Sequence, residues 1–179
     1  MTRWAALLRG INVGGANRLS MVELCATMDS LGFGNVVTHV QSGNVVFDTD
    51  VDHEAALAAR IVEAIADRHA LRVPVVLRSA EELADLAGRH PDVESGLDPK
   101  LLHVVLLDRA PAAGTVADID PARFEPDRFT VGGRQVYVSY PDGSGRSKLT
   151  VEVFERAFGV TATARNLNTI RKLVELAAG

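Results

Sequence analysis

Val36-Val37-Thr38-His39-Val40-Gln41-Ser42-Gly43-Asn44-Val45-Val46-Phe47-Asp48 is the stretch on which the fold turns. Val36, Thr38 and Val40 share one face at a period of two, and Val45 and Phe47 share a face of the partner run. The spacing predicts two short strands, Val36–Gln41 and Asn44–Asp48, joined through Ser42-Gly43 as an antiparallel hairpin. Helical patterns flank it on both sides. Upstream, Ser20 and Glu23 form a capping box, Met21, Leu24, Cys25, Met28 and Leu31 recur at helical spacing, and Gly32 stands where the helix should stop. Before that helix, Trp4–Leu8 is apolar on both faces until Arg9, the mark of an inner strand. Downstream, a helix is expected from Asp52 to His69 on the stripe Leu57, Ile61 and Ile65, with acidic residues at its start. A strand follows at Leu71–Leu77, interrupted by Pro74. The order is βαββαβ, the ferredoxin-like split arrangement. Pro74 donates nothing to a ladder and belongs on an edge, which is where the fourth strand of this topology lies.

The second half carries the same materials in a less legible order. Ser79 and Glu82 make another capping box, opening a helix through Gly88. Leu101–Leu107 reads as a strand and Arg109–Pro121 as a loop or short turn. Phe129–Val131 and Gln135–Tyr140 flank Gly132-Gly133 as a hairpin. Helices are expected from Lys148 to Phe158 and from Arg165 to Ala178. The fold class is therefore α+β in two small subdomains, residues 1–77 ferredoxin-like and residues 78–179 mixed. Periodicity alone does not place four strands in the second half, so a second copy of the first arrangement stays open.

The chain has 179 residues, 47% apolar, 23% charged and 5% aromatic, the composition of a folded globule rather than a disordered or fibrous chain. One cysteine, Cys25, excludes an internal disulfide and any multi-cysteine zinc site. The apolar run Trp4–Leu8 is too short for a signal-peptide core or a membrane span, which leads to a cytoplasmic expectation with no membrane partner. The formal net charge is −4, yet Arg134–Lys172 holds seven basic and three acidic residues. A basic end on an acidic body can focus an anionic ligand, or it is a solvated arginine-rich surface.

Most chemical signatures are absent. Gly10, Gly14 and Gly15 do not have dinucleotide-loop spacing, the five histidines lack metal-ligand spacing, and Ser144 lies directly between glycines rather than in a nucleophile elbow. No metal and no cofactor is expected. The best local candidate is Gly143, Ser144, Gly145, Arg146, Ser147 and Lys148, with Arg165 and Asn166 as further partners. Exposed amides beside two cations would suit an anion. The alternative is a hairpin-to-helix connection whose serines cap the helix. A second polar cluster comprises Arg9, Asn12, Asn17 and Arg18 in the loop after the first strand, with Gln41, Ser42 and Asn44 at the hairpin. The reading places these two loops at opposite ends of the sheet, so that one small site could not use both.

These motifs resemble the bacterial family called domain of unknown function (DUF) 1697. The marks are ALLRGINVGG at Ala6–Gly15, LGF at Leu31–Phe33, QSGNVVF at Gln41–Phe47, DPKLLHVVLL at Asp98–Leu107, and SKLTVEVFER with TATARNLNTIRKL in the final third. Leu167 departs from the pattern, standing where tryptophan is expected. The resemblance implies a compact α+β protein with two subdomains, the first ferredoxin-like, and supplies no activity or catalytic set.

For function, the first expectation is the binding of a small phosphorylated or otherwise anionic ligand. The alternatives are an enzyme of phosphoryl or nucleotidyl chemistry, which lacks an identified base, nucleophile or metal cage, and a nucleic-acid or protein interaction module. The acidic balance and sparse aromatics predict weak or absent RNA and DNA binding. Oligomeric state has no signature in the chain.

Overall fold

The computed structural model describes residues 1–179. The chain divides into two compact units, Met1–Ala84 with Lys172–Gly179 (unit 1) and Asp85–Arg171 (unit 2).

Unit 1 has the expected βαββαβ order: β1 (Thr2–Leu8), α1 (Met21–Ser30), β2 (Gly34–His39), β3 (Asn44–Thr49), α2 (Glu54–His69) and β4 (Val75–Ser79). Its antiparallel sheet has the order β2-β3-β1-β4, the ferredoxin-like sequence of strands. Trp4, Ala6, Leu8, Val45, Phe47 and Leu77 pack under Leu24 and Met28 of α1 and Leu57, Ile61 and Ile65 of α2. The Ser20–Glu23 capping box is present in both directions and starts α1. Cys25 is half-buried on that helix, with its thiol 3.9 Å from the Thr38 hydroxyl. The fourth strand is an edge, but it starts at Val75, so Pro74 lies just before it rather than inside it. Instead of pairing, Pro74 offers its carbonyl to the Arg9 amide at 2.9 Å. The second helix begins at Glu54, where the His53 ring caps it by accepting from the Ala56 amide.

α3 (Ala80–Gly88) follows β4, opened by the expected Ser79–Glu82 capping box. In unit 2 come β5 (Leu102–Leu107), two 3-10 turns at Thr115–Asp118 and Pro121–Phe124, then β6 (Arg128–Gly132) and β7 (Gln135–Ser139). They are followed by α4 (Val151–Phe158), β8 (Ala162–Asn166) and α5 (Leu167–Ala178). The second sheet has the order β6-β7-β5-β8, again with every pairing antiparallel. Strand for strand, this is the order of the first sheet. Unit 2 therefore repeats the topology of unit 1, with 3-10 turns in the place of α1.

Two sequence expectations are corrected here. Arg165 does not open the last helix; it lies inside β8, which pairs with β5 through Val104↔Arg165 and His103↔Asn166, and Asn166 ends that strand as the cap of α5. The strand escaped notice because its segment, Ala-Thr-Ala-Arg-Asn, has small residues where a strand usually shows large β-branched ones. The helix expected from Lys148 starts at Val151 instead, and Gly159 ends it in the left-handed conformation. Leu167 is fully buried, so leucine fills a core position where the family pattern expects tryptophan. No helix is long and apolar enough to cross a membrane.

Candidate functional site

The two polar loops of unit 1 sit at the same end of the sheet, contrary to the sequence reading. The reason is strand direction. β1 runs antiparallel to β3, so the end of β1 faces the start of β3: Leu7 pairs with Asn44, and the Leu8 amide donates to the Gly43 carbonyl at 2.8 Å. The loop and the hairpin turn are then locked together by Asn12. Its side-chain amide donates to the carbonyls of Leu19 (2.8 Å) and Gln41 (2.7 Å), and its oxygen accepts from the Leu19 amide (3.0 Å). Between Asn12 and Asn17 the chain forms a miniature hairpin, with Gly14 and Gly15 at φ of +57° and +83° supplying the primed turn. The Asn17 amide donates to Gly10, and buried Asn44 donates to His39 and Ser42. Gly43 has φ of +76°, and a Cβ there would meet Ile11 Cδ1 at 2.6 Å and Leu8 Cβ at 2.8 Å. Most of this cluster is therefore architecture, holding two signature segments in one knot. Arg18 remains at the surface, its guanidinium beside Gly15.

The cationic loop of unit 2 is different. It runs through a short 3-10 turn, Ser144–Arg146, and borders a recess of about 590 Å³ with Arg123, Phe124 and Asp127. A second recess of about 610 Å³ adjoins it, sharing Arg123, Phe124 and Lys148 and adding Ile119, Val153, Arg156 and Ala157. The pair of recesses lies where the thin 3-10 turns stand in for a helix beside α4.

The loop's supports are internal. Ser147 donates its hydroxyl to buried Asp127 at 2.6 Å and accepts from the Leu149 amide at 2.9 Å. Tyr140 donates to the Leu149 carbonyl at 2.8 Å, and its burial raises the phenol far above its ordinary range. The Gly143 amide donates to the Tyr140 carbonyl and the Ser147 amide to Ser144, so these two amides serve the turns. Ser144, Gly145, Arg146 and Lys148 are exposed. No ion pair or side-chain hydrogen bond engages Arg123, Arg146, Lys148 or Arg156, whereas Arg3, Arg72, Arg89, Arg109, Arg128 and Lys172 all have carboxylate partners.

Arg165 and Asn166 do not line either recess. Arg165 is buried in β8, donates to the Thr163 hydroxyl and the Ala164 carbonyl, and is lowered to about 10 by desolvation. Asn166 caps α5, its oxygen accepting from the Thr169 amide at 2.9 Å. The residues that sequence reasoning missed are Arg123, Phe124 and Arg156. A signal for the first two exists in Asp120-Pro121, a cap followed by proline at the first position of a turn, with Asp120 accepting from the Ala122 amide. No group of three histidine, cysteine, aspartate or glutamate side chains is placed to hold a metal ion.

Two α+β units of one strand order define the class, the recess of unit 1 at Asn12, Arg18 and Gln41 (about 450 Å³) being smaller than either recess of unit 2 described above. The chain belongs to the family described as protein of unknown function (DUF1697), whose model matches residues 1–137. Arg123 and Phe124 lie inside that match, and the loop with Arg146 and Lys148 lies beyond it. The whole fold is similar to that of a solved structure, the conserved bacterial protein SP0830 from Streptococcus pneumoniae. The TM-score is 0.72 at 22% identity, covering 98% of each chain. No curated protein matches the chain.

Proposed function

We propose that unit 2 binds a small phosphorylated ligand in the cleft bordered by Arg123, Arg146, Lys148 and Arg156. The observation that carries this reading is four cations without ion-pair partners around two adjoining recesses. Each recess has the size of an ordinary small-molecule site. A guanidinium fork beside an ammonium suits a phosphoryl group, which offers several anionic acceptors at once. The same cleft carries Asp118, Asp120, Glu125, Asp127 and Asp142, so its charge is mixed. That composition favours one compact anion over a polyanionic strand, whose neighbouring phosphates would meet carboxylates.

Isothermal titration with inorganic phosphate and simple phosphate monoesters, at low and at physiological salt, tests the reading. Binding at low salt should weaken at least about tenfold in an Arg146→Ala/Lys148→Ala double variant, because charge-assisted hydrogen bonds are lost. An unchanged affinity in that variant, or no binding of any phosphate by the parent protein, contradicts it.

A further inference from the structure

We propose that the ligand is a nucleoside phosphate, its phosphoryl group held by Arg146 and Lys148 and its base laid against Phe124 in the neighbouring recess. This rests on the phosphate-binding reading above and adds the part of the ligand that the cations do not recognise.

The two recesses differ in chemistry. The first is polar, bordered by Arg146, Lys148 and the turn at Gly143 together with Glu125, Asp127 and Asp142. The second is lined by Ile119, Phe124, Val153 and Ala157, an apolar wall with one aromatic ring, and Arg156 stands at its margin. Phe124 and Lys148 belong to both recesses, so one molecule can touch the cations with one end and the apolar wall with the other. Phe124 is half-buried, packed against the unit 2 core, which leaves part of the side chain toward the cleft. A planar ring stacked on it would remove apolar surface on both partners from water, and any base presents a suitable face.

Asp118 and Asp120 choose among the phosphorylated molecules that could satisfy the cations. Both border the apolar recess and both are exposed. Ionised carboxylates only accept hydrogen bonds, and one oxygen of Asp120 already holds the Ala122 amide. What they can recognise is a donor: a ribose hydroxyl or the exocyclic amine of a base. An alkyl chain would bring none and would leave the carboxylates facing hydrocarbon, so a phospholipid-like ligand fits poorly. The apolar wall of this recess and the exposed heads of Arg146 and Lys148 in its neighbour set the orientation, phosphoryl group toward Arg146 and Lys148.

The test compares five probes on the full chain: inorganic phosphate, ribose 5-phosphate, adenosine monophosphate, guanosine monophosphate and octyl phosphate. Affinity is read by titration calorimetry, and position by the methyl resonances of Ile119, Val153 and Ala157. A nucleoside monophosphate should bind about tenfold or more tighter than ribose 5-phosphate, the gain ordinary for one stacked base. It should also move those methyl signals by its ring current, which ribose 5-phosphate cannot do. Phe124→Leu, chosen because it keeps the apolar packing, should cancel the gain, the nucleotides and ribose 5-phosphate then binding that variant within about twofold of one another. Equal affinities for ribose 5-phosphate and both nucleotides, or tightest binding by octyl phosphate, overturns the nucleoside assignment and leaves the phosphate reading standing. Failure of all five probes to bind overturns both.

Discussion

Unit 1 and unit 2 thread their strands in one order and cover them differently. In unit 1 the connection between the first two strands is a regular helix, α1, which presses Leu24 and Met28 onto the sheet beside α2 and fills the layer. In unit 2 the corresponding connection is the pair of short turns around Thr115–Asp118 and Pro121–Phe124. A 3-10 turn of four residues cannot present the apolar stripe of a ten-residue helix. The layer beside α4 is consequently incomplete, and the cations of the following loops border the space. The lesson is that a binding cleft can come from shortening one connection while the sheet beneath it is kept.

The largest effect that sharpens the contrast is at glycine. Gly43→Ala in unit 1 combines a positive φ with Cβ contacts under 3 Å to Ile11 and Leu8. It should cost about 3 kcal/mol, from overpacking and backbone strain together. Gly143→Ala in unit 2 also meets a positive φ, +88°, but has nothing within 4 Å of the new Cβ. Its cost should be about 1 kcal/mol. Urea unfolding of the two variants measures the difference; equal losses would break the comparison.

Acid should separate the units next. His103 and His90, both in unit 2, are lowered chiefly by desolvation, His103 from 6.5 to about 4, and each favours the neutral ring in the folded state. The unfolded chain therefore binds more protons, and the stability is complete above about pH 6.5 and lost as pH falls toward 4. For His103 the loss should reach about 2–3 kcal/mol at pH 4. The only tryptophan, Trp4, lies in unit 1 and both tyrosines, Tyr137 and Tyr140, lie in unit 2. Tyrosine ring resonances should thus report the acid transition before Trp4 fluorescence does, and His103→Phe should delay it. Simultaneous transitions at unchanged pH in that variant would contradict the assignment.

Smaller effects follow from the residues the sequence reading placed in the site and the structure does not. Asn166→Ala removes the cap of α5 and should cost about 1 kcal/mol of stability without altering phosphate affinity. Arg146→Ala/Lys148→Ala should do the reverse. These are exposed side chains with no partner in the fold, so thermal unfolding should shift by no more than about 0.5 kcal/mol while binding is lost.

Unit 1 was legible because its elements announce themselves locally: the Ser20–Glu23 box, the stripe Leu57, Ile61 and Ile65, and the hairpin around Gly43 are all short-range patterns. What local pattern leaves open there is long-range. The direction of β1 against β3 brings Asn12 to Gln41, and no spacing along the chain states that direction. Unit 2 hid more. β8 pairs through its backbone with alanines on one face and a buried arginine on the other, and the turn at Pro121–Phe124 is too short to show a period. The cationic loop was visible as composition. Arg156 counts in the same basic stretch, Arg134–Lys172, but nothing in its spacing joins it to the loop, and Arg123 lies outside that stretch; tertiary packing brings them to one cleft.

The most direct test of the division of labour between the units is a backbone-amide and methyl NMR titration of the full chain with a phosphate monoester. The account predicts shifts concentrated at Arg123, Phe124, Gly143–Lys148 and Arg156, with the signals of Asn12–Arg18 and Gln41–Asn44 unmoved. Shifts centred on the Asn12–Arg18 loop and the Gly43 turn, with the unit 2 cleft silent, would contradict it.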